Sequence, residues 1–280
     1  MISFKDVCET EVDLVIDEIY EGGAVGNILD DVLTKLMGVQ NAGGFRYRNV
    51  LNTTDKAYIV LYSSNEDIDW PDVLEAETGK FKYYGDNKRP GDKVDSKKGN
   101  LILETIFNEK NRNKIPPVFI FMKNPTVASN RSVRFLGLAV PEDYYLGKDN
   151  SLKAIWRTSN SERFINYEAH FTILNTKSIN REWLSCLING DSLNTRFAPD
   201  AWLKYVKQGL TDDIILSAPK NKEYRSKIEQ LPSTDKDLRK LDFIYQYYKD
   251  EPYKFEYFAA KLVGLMDNNF LNFNITRTVR

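Results

Sequence analysis

The segment WPDVLEAETGKFKYYGDNKRPGDKVDSKKGNLILETIF, residues 70–107, decides the fold because it joins a strand, a polar turn and a helix start in one run. Residues 81–84 have the aromatic content of a short strand, and Gly85-Asp86-Asn87 has the composition of a turn. Asn100 can then cap the helix that follows. This order predicts a sheet edge that passes through a tight turn into a flanking helix.

The same segment combines charge with aromatic side chains. Seven basic residues stand against three acidic ones between Lys80 and Lys98, and four aromatic residues lie between Trp70 and Tyr84. Basic side chains neutralise phosphates, aromatic faces stack on unpaired bases, and a carboxylate accepts a hydrogen bond from the cytosine amino group. The composition fits a nucleic-acid-binding site, although core aromatics beside solvated turns give the same pattern.

Outward from this segment the chain has many short strands and few helices. The predicted strands cover residues 57–62, 118–122, 135–140, 154–157 and 167–174. One predicted helix covers residues 28–37 and ends at Gly38, and two more begin at Ser178 and Pro199. We therefore predict an α+β fold: a curved sheet or partly open β-barrel with flanking helices, followed by a short helical segment.

Composition changes divide the chain into three parts. Residues 1–216 hold all the predicted strands of the sheet, and residues 217–233 are polar, contain Pro219 and Pro232, and are predicted to be a linker. Residues 234–280 contain two predicted helices and a strand with alternating Leu271, Phe273 and Ile275. A unit of this size buries too little apolar surface to be stable alone.

Composition also excludes several classes of protein. The chain has 42% hydrophobic and 28% charged residues and no apolar run long enough to span a membrane. Cys8, Cys186 and His170 are too few for a disulfide framework or a usual zinc site, so a reducing cytoplasm and no metal are expected. The net charge of −1 conceals six basic and no acidic residues between Lys110 and Val140, which permits a local basic groove.

Six motifs in order resemble the N-terminal domain of modification-dependent restriction endonucleases of the AspBHI type. These motifs are Gly43-Gly44-Phe45-Arg46, Trp70-Pro71-Asp72, Tyr83-Tyr84-Gly85-Asp86-Asn87, Lys98-Gly99-Asn100, Arg163-Phe164-Ile165-Asn166-Tyr167 and Ala198-Pro199-Asp200-Ala201-Trp202. Their order and spacing carry the resemblance, since no single motif is decisive.

The resemblance implies an SRA-like domain, residues 1–216, that recognises modified DNA. It also implies that residues 234–280 are the truncated start of an Mrr-like nuclease domain, in a parent protein that uses Mg²⁺ and can form homo-oligomers. No aspartate motif followed by glutamate or glutamine and lysine is present after residue 234. We therefore expect neither catalytic residues nor a cofactor in this chain, and no DNA cleavage by it.

The candidate site residues form three groups. The predicted base pocket consists of Trp70, Asp72, Tyr83, Tyr84 and Asp86, with Trp70 and Tyr84 as its two faces and Asp72 or Asp86 as acceptor for the cytosine amino group. The predicted DNA-reading loop consists of Gln40, Asn41, Phe45 and Arg46. The predicted phosphate contacts are Lys88, Arg89, Lys97, Lys98, Arg131 and Arg134. Core packing, a plain turn and solvated charges are the alternative interpretations of these groups.

The main hypothesis is that the chain binds double-stranded DNA carrying 5-methylcytosine or a related modified cytosine, by rotating that base out of the helix. An alternative is a nucleic-acid-binding barrel that is not modification-specific and does not flip a base. A third hypothesis keeps the fold but assigns it a protein or small-molecule ligand, which would bind with little dependence on salt.

Overall fold

A computed structural model describes residues 1–41, 43–64, 66–91, 93–159, 161–216, 232 and 234–266 of the chain. The chain divides into two compact units, Met1–Lys220 and Asn221–Arg280. The helices of the first unit are α1 Phe4–Glu9, α2 Val32–Leu36, α3 Lys98–Asn108, α4 Arg181–Ile188 and α5 Asp200–Gln208. Its strands are β1 Leu14–Val15, β2 Ile19–Tyr20, β3 Phe45–Asn49, β4 Lys56–Ser63, β5 Val73–Glu75, β6 Lys80–Tyr84, β7 Val118–Lys123, β8 Val133–Val140, β9 Leu152–Ser159, β10 Glu162–Ile173 and β11 Ser178–Ile179.

A nine-stranded sheet organises the first unit. Its main path runs β3-β4-β7-β8-β10-β6-β5, while β2 pairs with β8 and β9 with β10. Neighbouring strands are antiparallel except β4 and β7, which are parallel. The sheet is open, with β3 and β5 at the ends of the path, and helices flank it. The predicted α+β fold class is thus confirmed.

Strand β4 explains why the sheet is covered on both faces. Successive side chains of a strand point to opposite faces. Tyr58 and Val60 belong to one core, which also contains residues of α2, α4 and α5, whereas Ile59 and Leu61 belong to a second core with residues of α3. All four side chains are buried, which matches the continuous apolar run that predicted a strand here.

The helices predicted over residues 28–37 and from Ser178 begin at other residues. The stretch 28–37 consists of a 3₁₀ turn, Ile28–Asp30, followed by α2, because Asp31 has extended backbone angles and caps α2 through a hydrogen bond from the Leu33 amide. Helix α4 begins at Arg181 rather than near Ser178, and the Asn180 side chain caps it.

Asn100 does not cap α3, which begins at Lys98. The carboxylate of Asp86 performs this role instead, since it accepts hydrogen bonds from the amides of Gly99 and Asn100, each at 3.0 Å. Asn100 is fully buried inside the first turn of the helix.

The described residues of the second unit form two helices, α6 Asp235–Tyr248 and α7 Pro252–Met266. Thr234 caps α6 by accepting from the Asp237 amide, and the ring of Tyr248 packs on Phe255 and Phe258 of α7. The predicted strand at Leu271, Phe273 and Ile275 and the predicted linker, apart from Pro232, lie outside the described residues. Within the described residues, no helix combines the length and apolar character needed to cross a bilayer.

Candidate functional site

A cavity of about 660 Å³ opens beside the Gly43-Gly44 loop and the segment that joins β4 to β5. Its aromatic lining residues are Phe45, Tyr62, Trp70, Tyr83 and Tyr84, and its charged ones are Asp31, Arg46, Asp67, Asp72, Asp86, Lys88, Lys123 and Arg131. The structure thus brings together the five residues predicted for the base pocket, with Asn41, Phe45, Arg46, Lys88 and Arg131 from the other predicted groups. Gln40, Arg89, Lys97, Lys98 and Arg134 lie outside this lining.

Trp70 and Tyr84 contact each other in the cavity wall. Their ring centroids are 5.4 Å apart with the planes inclined at 63°, and Phe164 packs on Trp70 at 6.0 Å. The guanidinium of Arg157 lies over the Trp70 ring and the ammonium of Lys82 over the Tyr84 ring. A base held between two rings needs parallel faces with a gap between them. The predicted pair of facing walls is therefore not present in this structure.

The two neighbouring tyrosines of β6 have different surroundings. Tyr83 belongs to the second core, packs on Phe45 and Phe81, and has its pKa raised well above the usual value by burial. Tyr84 points to the opposite side of the strand, where its hydroxyl donates to Glu168 Oε2 at 3.0 Å. Glu168 in turn bonds to His170 Nε2 at 2.8 Å. The hydroxyl of Tyr84 is therefore fixed by hydrogen bonds that run from Tyr84 through Glu168 to His170.

Asp72 supplies the carboxylate best placed for a ligand. Its Oδ1 accepts from the Tyr84 amide at 3.0 Å, and the side chain of Ser63 also bonds to it. Burial raises the pKa of Asp72, and these hydrogen bonds only partly oppose the effect. Asp86, the competing candidate, has both oxygens occupied by the amides at the start of α3. Of the two predicted acceptors, the geometry favours Asp72.

Buried amide side chains fix the turn that follows Tyr84. Asn100 Oδ1 accepts from the Asp86 amide at 2.9 Å, while its Nδ2 donates to Asn166 Oδ1 at 3.1 Å. Asn166 Nδ2 donates to the Gly85 carbonyl at 3.0 Å. A Cβ atom on Gly85 would lie 1.9 Å from Asn100 Oδ1, so the turn requires glycine at this position.

Arg46 and Phe45 do not lie on an exposed loop as predicted. Both begin strand β3 and are buried, at 5% and 9% exposure. Arg46 Nη1 pairs with Asp31 Oδ2 at 2.7 Å, and its Nε donates to the Gly43 carbonyl at 2.8 Å. The guanidinium therefore fixes the glycine loop against the start of α2, and this internal ion pair leaves it unsuited to reading base edges. Gln40 and Asn41 are exposed.

The six predicted phosphate contacts differ in their exposure and in their ion pairs. Arg89, Lys97, Lys98 and Arg131 are exposed. Lys88 is also exposed but forms an ion pair with Asp67 at 2.5 Å. Arg134 is half-buried because it lies on β8, an interior strand of the sheet. Its Nε is buried and has no hydrogen-bond partner among the described residues. The surface position predicted for Arg134 is thus corrected.

Sequence reasoning missed several side chains around the cavity. Lys123 pairs with Glu66 at 2.5 Å at the cavity rim, and Arg157 Nη2 donates to the Asp69 carbonyl at 3.2 Å. Glu168 and His170 stand two residues apart on one strand, a spacing that places them on one face and could have indicated their pairing.

Among the described residues, no group of three or more His, Cys, Asp or Glu side chains is arranged to hold a metal ion.

Comparison with known proteins identifies relatives of the first unit. The family model described as restriction endonuclease AspBHI N-terminal matches residues 14–217. The solved DNA recognition domain of the cytosine modification-dependent restriction endonuclease LpnPI is 39% identical, with 79% of this chain and 98% of that chain covered and a TM-score of 0.70. The DNA modification-dependent restriction endonuclease AspBHI is 34% identical, with 78% and 99% covered and a TM-score of 0.69.

A more distant structure, the MspJI restriction endonuclease in complex with a 27-mer oligonucleotide, is 18% identical, with 94% of this chain and 67% of that chain covered and a TM-score of 0.56. This likeness concerns the fold alone. No curated protein matches the chain.

Proposed function

The chain belongs to the AspBHI N-terminal family of restriction endonucleases, and from this premise we propose that it is a DNA-recognition module that binds duplex DNA carrying a modified cytosine. The LpnPI domain is described as part of a cytosine modification-dependent endonuclease. The similarity to it extends over nearly all of that domain, which supports the same class of ligand for this chain.

The modified base is proposed to enter the cavity after rotating out of the duplex. Extrusion of a base costs roughly a few kcal/mol, which contacts inside a pocket must offset. The cavity of about 660 Å³ is within the range of small-ligand pockets, roughly 300–1,000 Å³. Its half-buried carboxylate, Asp72, is the observation that carries the proposal, because a base-edge amino group needs a fixed acceptor.

The Tyr84 amide orients the Asp72 carboxylate, and five aromatic side chains line the cavity together with its paired charged groups. Since Trp70 and Tyr84 touch edge to face, a stacked base would require one ring to turn or would stack on Tyr62 or Phe45 instead. Burial of one methyl group contributes about 0.8 kcal/mol, a factor of roughly four in affinity. Preference for a methylated base must therefore also depend on how the pocket excludes or orients the base.

The closed contact between Trp70 and Tyr84 favours one alternative, namely binding of the duplex without base flipping. One experiment separates the two possibilities. Anisotropy titrations of one duplex in unmodified, 5-methylated and 5-hydroxymethylated forms measure preference, and the fluorescence of pyrrolo-cytosine at the same position measures unstacking.

We expect tighter binding of a modified form together with a rise in pyrrolo-cytosine fluorescence. Equal affinities for all forms with unchanged fluorescence would favour the alternative. In a parent endonuclease, this module is proposed to place a Mg²⁺-dependent nuclease domain, beginning near residue 234, at a fixed distance from the modified base, in a homo-oligomer.

A further inference from the structure

A second concavity adjoins the cavity at the start of strand β3. Its volume is about 520 Å³, and Phe45 and Arg46 line both spaces. Its walls are β3, the turn after it and the first residue of α3, Lys98. We call this space the β3 groove; its lining residues are Gly38, Gln40, Phe45, Arg46, Tyr47, Arg48, Asn49, Val50, Leu51, Asn52, Thr53 and Lys98.

The β3 groove and the cavity differ in charge. The cavity is lined by the carboxylates of Asp31, Asp67, Asp72 and Asp86 and by four basic side chains. The lining of the β3 groove contains Arg46, Arg48 and Lys98 and no acidic residue. A concave surface with one sign of charge concentrates its potential and attracts the opposite charge. The groove is therefore suited to an anionic ligand, whereas the cavity is suited to a neutral one.

The basic groups at the two sites also differ in availability. Arg46, Lys88 and Lys123 at the cavity are each in an ion pair with a carboxylate, at 2.5–2.7 Å. Among the described residues, neither Arg48 nor Lys98 forms such a pair, and the same holds for Lys56 beside the groove. A phosphate that approaches Arg48, Lys56 or Lys98 therefore displaces only solvent counterions, while one that approaches Lys88 or Lys123 competes with a carboxylate. Arg131 is the cavity cation for which no such pair is found among the described residues.

Neighbouring groups hold these cations in position. The ammonium groups of Lys56 and Lys98 each lie 4.8 Å from the centre of the Tyr47 ring, and Lys56 Nζ also donates to Asn49 Oδ1 at 3.1 Å. Arg48 Nη1 donates to the Gly38 carbonyl at 3.0 Å, which leaves its other guanidinium hydrogens for a ligand.

The groove wall is anchored to the body of the first unit. The Leu51 amide in the turn after β3 donates to the Ile188 carbonyl at the end of α4, at 2.9 Å. Strand β3 is also the last strand on its side of the sheet, so no further strand covers the groove. Fixed cations on an open edge bind with a smaller loss of side-chain freedom than mobile ones.

We propose that the β3 groove binds the sugar-phosphate backbone of the DNA strand, with Arg48, Lys56 and Lys98 as its phosphate contacts. This proposal rests on the proposed function and deepens it, because the groove adjoins the cavity that receives the base. Phosphate contacts carry no sequence information, so the groove raises affinity for modified and unmodified duplexes alike. The difference in charge gives the two spaces different roles. The cavity distinguishes modified from unmodified cytosine, and the β3 groove binds the phosphates of either duplex.

The test uses the full chain and measures affinity at several salt concentrations for one duplex in methylated and unmodified forms. The variant is Arg48→Gln/Lys56→Gln/Lys98→Gln, and the control is Lys110→Gln/Lys177→Gln/Lys207→Gln. The control lysines are exposed, as are Arg48 and Lys98, and they line neither the cavity nor the groove. Each lost phosphate contact lowers the slope of log affinity against log salt by about 0.9.

We expect the groove variant to lower this slope by about two to three, to weaken binding to both duplexes by the same factor, and to leave their ratio unchanged. The control should match the unsubstituted chain. Equal slopes in the groove variant and the unsubstituted chain would overturn the groove proposal. A chain that lacks preference for the methylated duplex but keeps the slope effect would overturn the proposed function alone. Absence of binding even at low salt would overturn both.

Loss of folding is separated from loss of contacts by the melting temperature and by a second variant. Lys56→Gln/Lys98→Gln retains the hydrogen bond of Arg48 to Gly38 and should lower the slope by about two. A folded double variant with an unchanged slope would overturn the proposal.

Discussion

At the residue scale, the hydrogen-bond partners of two aspartates in one short segment determine which of them can bind a ligand. Asp72 and Asp86 both line the cavity. The oxygens of Asp86 accept hydrogen bonds from the amides of Gly99 and Asn100, so its carboxylate has a structural role as the cap of α3. Asp72 receives one backbone amide and one hydroxyl, and burial raises its pKa. Of these two aspartates, Asp72 is therefore the one placed to accept a hydrogen bond from a ligand in the cavity.

Asp72→Asn should weaken binding to the modified duplex by roughly ten- to hundredfold, since a hydrogen bond to a charged group contributes about 1.5–3 kcal/mol. The base amino group needs the ionised carboxylate, so affinity should fall as the pH drops through the raised pKa of Asp72. Titrations over a pH series measure this, with Asp67→Asn at the cavity rim as control. The same pH dependence in Asp72→Asn would contradict this assignment.

Stability should respond to pH in the opposite direction. Because the pKa of Asp72 is raised in the folded state, its contribution to stability is fully present below the unfolded-state pKa and is lost as the pH rises through the folded-state pKa. Denaturant unfolding across the same pH series should therefore show the free energy of unfolding decreasing over the pH range in which affinity for DNA increases. The effect should be absent in Asp72→Asn.

Gly85→Ala should destabilise the first unit, because the added Cβ would meet Asn100 Oδ1 at 1.9 Å and Asn166 Oδ1 at 2.7 Å. Separating these buried amides leaves polar groups without partners, at about 1–3 kcal/mol each. Gly91→Ala is the control: its Cβ meets no atom within 4 Å, so only the positive φ of 102° opposes it. Chemical denaturation compares the two, and an equal loss of stability would show that packing at Gly85 is unimportant.

At the scale of elements, local pattern predicted strands β4, β6, β7, β8, β9 and β10 but not the other five strands, β1, β2, β3, β5 and β11. It predicted the helix starts less well. The apolar run of β4 is continuous because both of its faces are buried, so composition alone identifies it. Helix α3 was placed three residues late because its cap, Asp86, comes from a turn earlier in the chain. Arg46 was assigned to DNA because its partner Asp31 is remote in sequence. Contacts between distant residues leave no periodic signal, which is why these details required the structure.

Asp86→Ala should shorten or loosen the start of α3 and destabilise the protein by about 0.5–2 kcal/mol, the usual effect of removing a helix cap. Binding to modified and unmodified duplexes should change by the same factor, unlike the selective loss expected for Asp72→Asn. Urea unfolding and paired titrations measure both quantities, with the exposed Asp95→Ala as control. A selective loss of modified-duplex binding by Asp86→Ala would return Asp86 to the role of base acceptor.

At the scale of the whole molecule, a net charge of −1 is compatible with binding to DNA because the charges are unevenly distributed. Carboxylates and cations pair around the cavity, whereas the adjoining β3 groove has cations alone. A local excess of cations attracts the duplex to this side of the molecule even though the total charge is close to zero. The resemblance and the basic segment could indicate DNA from the sequence, but the separation into a neutral cavity and a basic groove depends on how the sheet places β3.

The division of the chain into two units leads to the last prediction. The sheet, the cavity and the β3 groove all lie within Met1–Lys220, and the match to the AspBHI N-terminal family ends at residue 217. A protein of residues 1–220 should therefore fold and bind the methylated duplex within about twofold of the full chain, since a factor of two is only about 0.4 kcal/mol. Anisotropy titrations and thermal melts compare the two proteins. A loss of more than tenfold in affinity, with melting unchanged, would mean that residues beyond 220 contact the DNA and that the recognition module extends into the second unit.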